Sequence, residues 1–343
     1  MKMKAIVKSL LILSSLSVSI SFAGQIIGAG SSFIYPVLSQ WTQTYATQAG
    51  TQINYQPIGS GGGLRQLQSH TVDFAASDMP MTEQQLAQNN WLQFPVLVGG
   101  IVPIVNIQGI QNNQLVLSGK VLADIFMDKV THWNDPEITA LNPGVTLPNA
   151  LIITVHRADG SGTTYNFSSY LSAVSPSWKS QVGANTVVAW PGFGLGAKGN
   201  AGVASQVQNM PNSIGYVEYA YAIQNHMVTT KMQNQAGDII TASSNSFAAA
   251  AKNADWAHTP GFGVSLVNQP GAASWPIVAT TFALVPNQHS PYAKNSQAVV
   301  KFFDWSFKNG QVAAVKLDYI PLPKSAYQLI ENQWNAQLPA WSK

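Results

Sequence analysis

The chain has 343 residues, with 17 Lys and Arg against 14 Asp and Glu, no Cys, and only 9% charged residues beside 46% hydrophobic ones. Without Cys there can be no disulfide, no thiol catalysis, no Cys-ligated metal and no lipid-modified N-terminal Cys. The composition is that of a globular chain rather than a disordered one, and its length favours two domains over a single core.

Lys2, Lys4 and Lys8 precede the apolar stretch SLLILSSLSVSI, and Ser21 and Ala23 stand just ahead of Gly24 with small-residue spacing. This is the layout of a secretory signal peptide covering residues 1–23, cleaved after Ala23. An uncleaved anchor would want about 20 predominantly apolar residues. Three of the 17 basic residues lie in this leader, leaving 14 against 14 acidic ones, so the mature chain is expected to be neutral. That excludes the clustered basic face of a nucleic-acid protein and the basic amphipathic segment of a membrane-surface one. The His residues, at 70, 132, 156, 226, 258 and 289, form no His-Glu-x-x-His pair, and no metal or cofactor is expected.

After the leader, QIIGAGSS reads as a strand ending in Gly and Ser, followed by Phe33, Val37, Leu38, Trp41 and Tyr45 at helical spacing up to Gly50. TQINYQPIG alternates like a strand and runs into SGGG, where Leu64 and Leu67 begin another helix. TVDFAAS is a third strand with Asp78 just past its end, and Thr82 with Gln85 predicts a capping box. FPVLVGGIVPIVNI is a long strand-rich run, broken by Gly99, Gly100 and Pro103, able to carry the chain towards a second lobe. Beyond it KVLADIFM reads as helix, LIITVHR as a buried strand and NFSSYLSAV as helix. SIGYVEYAYA and SWPIVATTFALV read as strands or strand–helix junctions, and AVVKFFDWSFK and SAYQLIENQW as amphipathic helices. The alternation predicts an α/β architecture.

Three loops share one chemistry. GAGSSF, GSGGGL and DGSGTTY each follow a strand, place hydroxyls among glycines and precede a helix. A helix start leaves backbone N–H groups unpaired at the positive end of the dipole, which suits an anion. Ser and Thr are also ordinary N-caps, so three capped helices remain an alternative at this point. A nucleotide phosphate loop lacks its Lys-Ser/Thr pair, and Gly160-Ser161-Gly162 has the wrong spacing for a hydrolase elbow. GFGLGA, residues 192–197, matches a dinucleotide motif by count, but no strand–turn–helix frame is visible around it and it reads as a loop.

Taken together, GAGSSFIYP, INYQPIGSGGG, VDFAASDMPM, KVTHWNDPEI, HRADGSGTTYNFSSYL and SIGYVEYAYA resemble the phosphate-binding proteins of bacterial phosphate ABC transporters, through nearly the whole mature chain. The resemblance implies a two-lobe periplasmic-binding-protein fold of type II character, each lobe a mixed sheet flanked by helices, with a hinge between them. Residues 24–105 with 281–343 would form one lobe and 106–280 the other. It implies a monomeric periplasmic receptor for inorganic phosphate, not an enzyme, that delivers its ligand to an inner-membrane ABC permease without entering the membrane. Carried over by position, the ligand contacts would be Ser32, Phe33 through its N–H, Ser60, Asp78, Arg157, Ser161, Gly162 and Thr163, with Asp159 holding Arg157 from outside. Two departures stand out: Ser32 replaces a common Thr, keeping the hydroxyl, and His156 stands where Arg is frequent.

Oriented neutral donors plus one Arg can hold a small dianion away from water. A carboxylate there looks misplaced unless the ligand brings a hydrogen. Phosphate retains one at neutral pH and sulfate does not, so Asp78 would favour phosphate and arsenate over sulfate. The competing readings are a sulfate or other oxyanion receptor and a secreted phosphatase-like enzyme. The latter needs a nucleophile with a base or a metal cluster, and neither can be named.

Overall fold

The protein's structure, a computed structural model, describes residues 25–252, 254–339 and 341. The expected signal peptide lies outside the described residues. Strand–helix alternation begins with β1 (Gln25–Gly30), α1 (Tyr35–Ala49), β2 (Gln52–Gln56), α2 (Ser60–Gln68), β3 (Phe74–Ser77), α3 (Glu83–Asn89) and the long β4 (Trp91–Asn106). α1 buries Val37, Leu38, Trp41 and Tyr45, the residues at helical spacing, and stops at Gly50, whose φ of 67° is left-handed. α3 starts on the capping box, with Thr82 and Gln85 each accepting from the other's backbone.

The middle of the chain supplies β5 (Val116–Leu117), α4 (Gly119–Phe126), α5 (Pro136–Thr139), β6 (Ile153–Arg157), α6 (Gly162–Val174) and α7 (Pro176–Gln181). It continues through β7 (Gly194–Ala197), α8 (Gly199–Asn209), β8 (Ser213–Glu218), α9 (Tyr219–Gln224), β9 (Val228–Thr229), β10 (Lys231–Gln233), β11 (Ile239–Ile240) and α10 (Ser244–Ala251). The chain ends with β12 (Val278–Pro286), α11 (Ser296–Asn309), α12 (Gln311–Lys316), β13 (Ile320–Pro321) and α13 (Lys324–Gln337).

The main strand order is β2-β1-β3-β12-β4-β8-β6-β7, with β9 and β13 also pairing β4. β1 runs parallel to β2 and β3, while β12 runs antiparallel to β3 and β4. On the other side β8 is antiparallel to β4, and β6 is parallel to β8 and β7. β4 serves both halves: Trp91–Gly100 pairs with β12, and Ile101–Asn106 pairs with β8. At the changeover Ile101 N donates to Ile277 O at 2.8 Å, so the outgoing and returning segments lie side by side. The result is a two-lobe mixed α/β fold joined by two adjacent strands, an arrangement suited to hinge closure. The glycines at this crossing make room for rings: a Cβ on Gly100 would stand 2.2 Å from Phe247, and one on Gly99 2.8 Å from Phe33.

The reading of residues 192–197 as a loop is corrected by this topology. Gly194–Ala197 is strand β7, in parallel register with Thr154–Arg157 of β6, and it leads directly into α8. Glycine-rich and with no β-branched or aromatic residue, it carries little intrinsic strand signal, and its neighbour β6 sets its conformation. The strand-to-helix frame exists, but Gly194 and Gly196 lie within the strand and Gly192 before it, rather than in a strand-to-helix turn that could cradle a pyrophosphate.

α2 lies tightly on β1. A Cβ on Gly63 would stand 2.4 Å from the Gly30 Cα and 2.5 Å from the Ala29 carbonyl oxygen, and backbone cannot swing aside as a side chain could. Gly63→Ala is therefore expected to destabilise the fold by about 1–3 kcal/mol in urea unfolding. An unchanged midpoint would mean that α2 does not approach β1 this closely.

Candidate functional site

The starts of α1, α2, α6 and α8 meet where the two halves of the sheet face each other. Ser31 to Phe33 lead into α1, Ser60 opens α2, Ser161 caps α6 by accepting from Thr164 N at 3.0 Å, and Asn200 lies in the first turn of α8. The GSGGG and DGSG loops touch across the gap: Gly61 N donates to Gly160 O at 2.9 Å, and a Cβ on Gly61 would lie 3.2 Å from the Gly160 Cα. All eight residues expected to contact a ligand are buried here, on both sides of the cleft.

Four hydroxyls in this cluster share one property. Ser60 Oγ accepts from Asp78 N and from Gly162 N, each at 3.2 Å. Ser32 Oγ accepts from Asn200 N at 3.1 Å and Asn200 Nδ2 at 2.9 Å. Thr163 Oγ1 accepts from Arg157 Nη1 and Asn200 Nδ2, each at 3.3 Å, and Ser161 Oγ accepts at the α6 cap. A hydroxyl carries one hydrogen and two lone pairs. With both lone pairs taken by protein N–H groups, Ser32, Ser60 and Thr163 are left with their hydrogens to give, and Ser161 keeps its hydrogen together with one lone pair. The four are donors to whatever occupies the space between them.

Asp78 is the exception. It is 1% exposed, and its carboxylate accepts from Ser31 Oγ at Oδ2 and from Thr281 Oγ1 at Oδ1, both at 2.7 Å. Its carbonyl accepts from Asn166 Nδ2 at 2.7 Å. Burial pushes the carboxyl up to about 6, against the pull of the Ser31 and Thr281 hydroxyls and of Arg157. With each oxygen holding one donor, the group keeps lone pairs for one more hydrogen. Asp78 does not cap α3, which Thr82 caps.

Arg157, 4% exposed, is held by a fork from Asp159: Nε donates to Oδ1 at 2.7 Å and Nη2 to Oδ2 at 2.5 Å. Asp159 also accepts from Gly199 N at 3.0 Å. Burial works against ionising Asp159, but the guanidinium and these N–H groups hold its carboxyl below the usual range. The Arg157–Asp159 pair is electrically balanced, so the cleft attracts a negative ligand through oriented hydrogens and helix starts more than through net charge.

The first loop is braced by three phenols acting on consecutive carbonyls. Tyr55 donates to Ser31 O at 2.8 Å, Tyr221 to Ser32 O at 2.7 Å and Tyr319 to Phe33 O at 2.6 Å. Phe33 is fully buried and its N–H donates to Ser31 Oγ at 2.9 Å. Ser31, Thr281, Asn200 and the three tyrosines are absent from the residues expected from sequence. Only Ser31, beside Ser32 in a Gly-rich loop, carries a local signal.

A two-lobed binding protein with a buried cleft of hydroxyl donors is the class these features define. Residues 19–309 match the family model described as the PBP superfamily domain. The chain is 50% identical over 316 residues to the phosphate-binding protein PstS of Pasteurella multocida, covering 92% of this chain and 91% of that one. It is 48% identical to PstS of Haemophilus influenzae, covering 96% and 98%. Among solved structures, the phosphate binding protein of Stenotrophomonas maltophilia superposes with a TM-score of 0.63 at 18% identity, over 89% of this chain and 92% of that one. An ABC-type phosphate transport receptor from Vibrio cholerae gives 0.54 at 18% identity, over 87% and 100%. The chain belongs to the PBP superfamily and, within it, to the PstS phosphate-binding proteins.

The raised carboxyl of Asp78 has a stability consequence. A carboxyl whose folded pKa exceeds its unfolded value stabilises the fold while protonated, and that contribution is lost as pH rises. For Asp78 the window runs from about 4, its ordinary value, to about 6. Unliganded protein is expected to lose up to about 3 kcal/mol across it. Asp78→Asn removes that part of the slope in urea unfolding at fixed salt. The same slope in variant and wild type would show that Asp78 ionises as it does in the unfolded chain.

Proposed function

We propose that the protein is a periplasmic receptor that closes its two lobes around one inorganic phosphate and passes it to an inner-membrane ABC permease. Export would follow cleavage after residue 23, and the mature receptor would act as a monomer. Among the described residues no helix is long and apolar enough to cross a membrane. The proposed lobes are residues 24–105 with 281–343 and residues 106–280. The change of β4's partner between Gly100 and Ile101, beside Ile277, supports a hinge between such lobes.

One observation carries the ligand assignment: four hydroxyls with a hydrogen to give, three of them with both lone pairs already taken, surround one buried carboxylate able to accept. In this reading Ser32, Ser60, Ser161 and Thr163 give hydrogens to phosphate oxygens, and the Gly162 region adds the start of α6. Phe33 contributes by its N–H once the ligand competes with Ser31 for it. Arg157 offers hydrogens on its terminal nitrogens beyond those engaged by Asp159 and Thr163. Asp78 accepts the hydrogen that phosphate keeps at neutral pH. Sulfate would meet Asp78 with lone pairs against lone pairs, a mismatch that can cost roughly 10⁴–10⁵ in affinity. Arsenate, similar in size and also protonated, is expected to bind. A phosphatase would need one of these hydroxyls activated by a base, whereas their observed partners are N–H donors, none of which can take a proton from them.

Calorimetric titration of the mature, anion-stripped protein at neutral pH tests this reading. One-to-one phosphate binding without heat from sulfate is expected, and no phosphate binding would overturn the receptor assignment. Asp78→Asn supplies an amide that can donate to sulfate, so the phosphate preference is expected to shrink by at least tenfold, about 1.4 kcal/mol. An unchanged preference would remove Asp78 from ligand selection.

A further inference from the structure

Glu218 is a buried acid for which ligand binding has so far required no role. It ends β8 and caps α9, its Oε1 accepting from Ala220 N at 2.9 Å, and it is 1% exposed. Its Oε2 stands 2.9 Å from the Tyr319 hydroxyl, and that hydroxyl stands 2.6 Å from the Phe33 carbonyl oxygen. A phenol carries one hydrogen and a carbonyl none. The contact to Phe33 O therefore uses the Tyr319 hydrogen. The contact to Glu218 needs a second hydrogen, and only the carboxyl can supply it.

We propose that Glu218 is a positioning residue for the ligand loop Ser31–Phe33, acting as a neutral carboxylic acid that donates to Tyr319, which in turn donates to Phe33 O. The other end of the residue acts on the same loop: Glu218 N donates to Asn200 Oδ1 at 3.0 Å, and Asn200 gives two hydrogen bonds to Ser32 Oγ. One residue at the end of β8, a strand paired with the far half of β4, thus fixes both Ser32 and Phe33 on the opposite side of the cleft. This role rests on the phosphate-receptor reading above.

The groups facing Glu218 agree with a neutral acid. On its own helix it meets the N–H groups of Ala220 and Tyr221, and across the cleft the Tyr319 phenol. Asp78 is near enough to oppose a second negative charge, and Glu218 takes part in no salt bridge among the described residues. Burial raises its pKa well above the ordinary value, against the pull of the Ala220 and Tyr221 N–H groups. Such an acid stabilises the arrangement at low pH and loses that contribution as pH rises through its folded pKa.

Glu218→Gln isolates the role, because the amide donates to Tyr319 at every pH. The variant is expected to bind phosphate within about threefold of wild type at neutral pH and to lose the part of the pH dependence that Glu218 provides. Glu218→Ala, which leaves Tyr319 without that donor, is expected to bind about tenfold more weakly. Isotope-edited infrared spectra of unliganded wild type should contain a protonated-carboxyl C=O band that Glu218→Gln removes. Absence of that band, or a folded Glu218→Gln variant that binds as poorly as Glu218→Ala, would overturn the proposal. If wild type itself bound no phosphate, the receptor reading and the positioning role would fall together, while the infrared band would still decide whether Glu218 carries the proton.

Discussion

Ser60 Oγ receives one N–H from Asp78 and one from Gly162, and these two donors belong to opposite sides of the cleft. That shared oxygen ties the carboxylate of one loop to the start of α6 in another, and it commits the Ser60 hydrogen to the space between them. Ser32 repeats the pattern with Asn200, and Thr163 with Arg157 and Asn200. Polar groups buried this deeply must be satisfied, so the protein fills their lone pairs with its own N–H groups. For Ser32, Ser60 and Thr163 the direction of the remaining hydrogen bond follows from that constraint. In the proposed reading, the ligand presents acceptors to these hydroxyls, with one hydrogen to spare for Asp78.

The same constraint explains why so little net charge is needed. Arg157 is matched by Asp159 within the cleft, and a full excess of cations would attract any anion indiscriminately. Helix starts and hydroxyls are short-range and directional, so they distinguish shapes and protonation states that bulk charge cannot. Contacts between the lobes, such as Gly61 to Gly160 and Tyr221 to Ser32, tie the geometry of the ligand loops to the placement of the two sides.

Much of this is written in local sequence. The α1 stripe, the Thr82–Gln85 box and the long β4 run follow from periodicity and capping, and the three Gly-Ser loops mark the cleft because only small residues permit such approach. Asp78 is different: after VDFAAS an Asp looks like an ordinary cap, and the resemblance to phosphate-binding proteins rather than spacing singles it out. Thr281, Asn200, Glu218 and Tyr319 leave no local trace, since each reaches the cleft only through strand and helix packing across long sequence separations. β7 escapes notice for the complementary reason, because a Gly-rich strand without β-branched or aromatic residues is stabilised by its neighbour rather than by its own propensity.

Neutron diffraction from crystals of the phosphate complex would test these donor and acceptor roles most directly, because it locates the hydrogens. The hydroxyl hydrogens of Ser32, Ser60, Ser161 and Thr163 are predicted to point at phosphate oxygens, with a ligand hydrogen shared towards Asp78. Hydroxyls accepting from the ligand, or an Asp78 carboxyl turned away from it, would contradict this reading of the site.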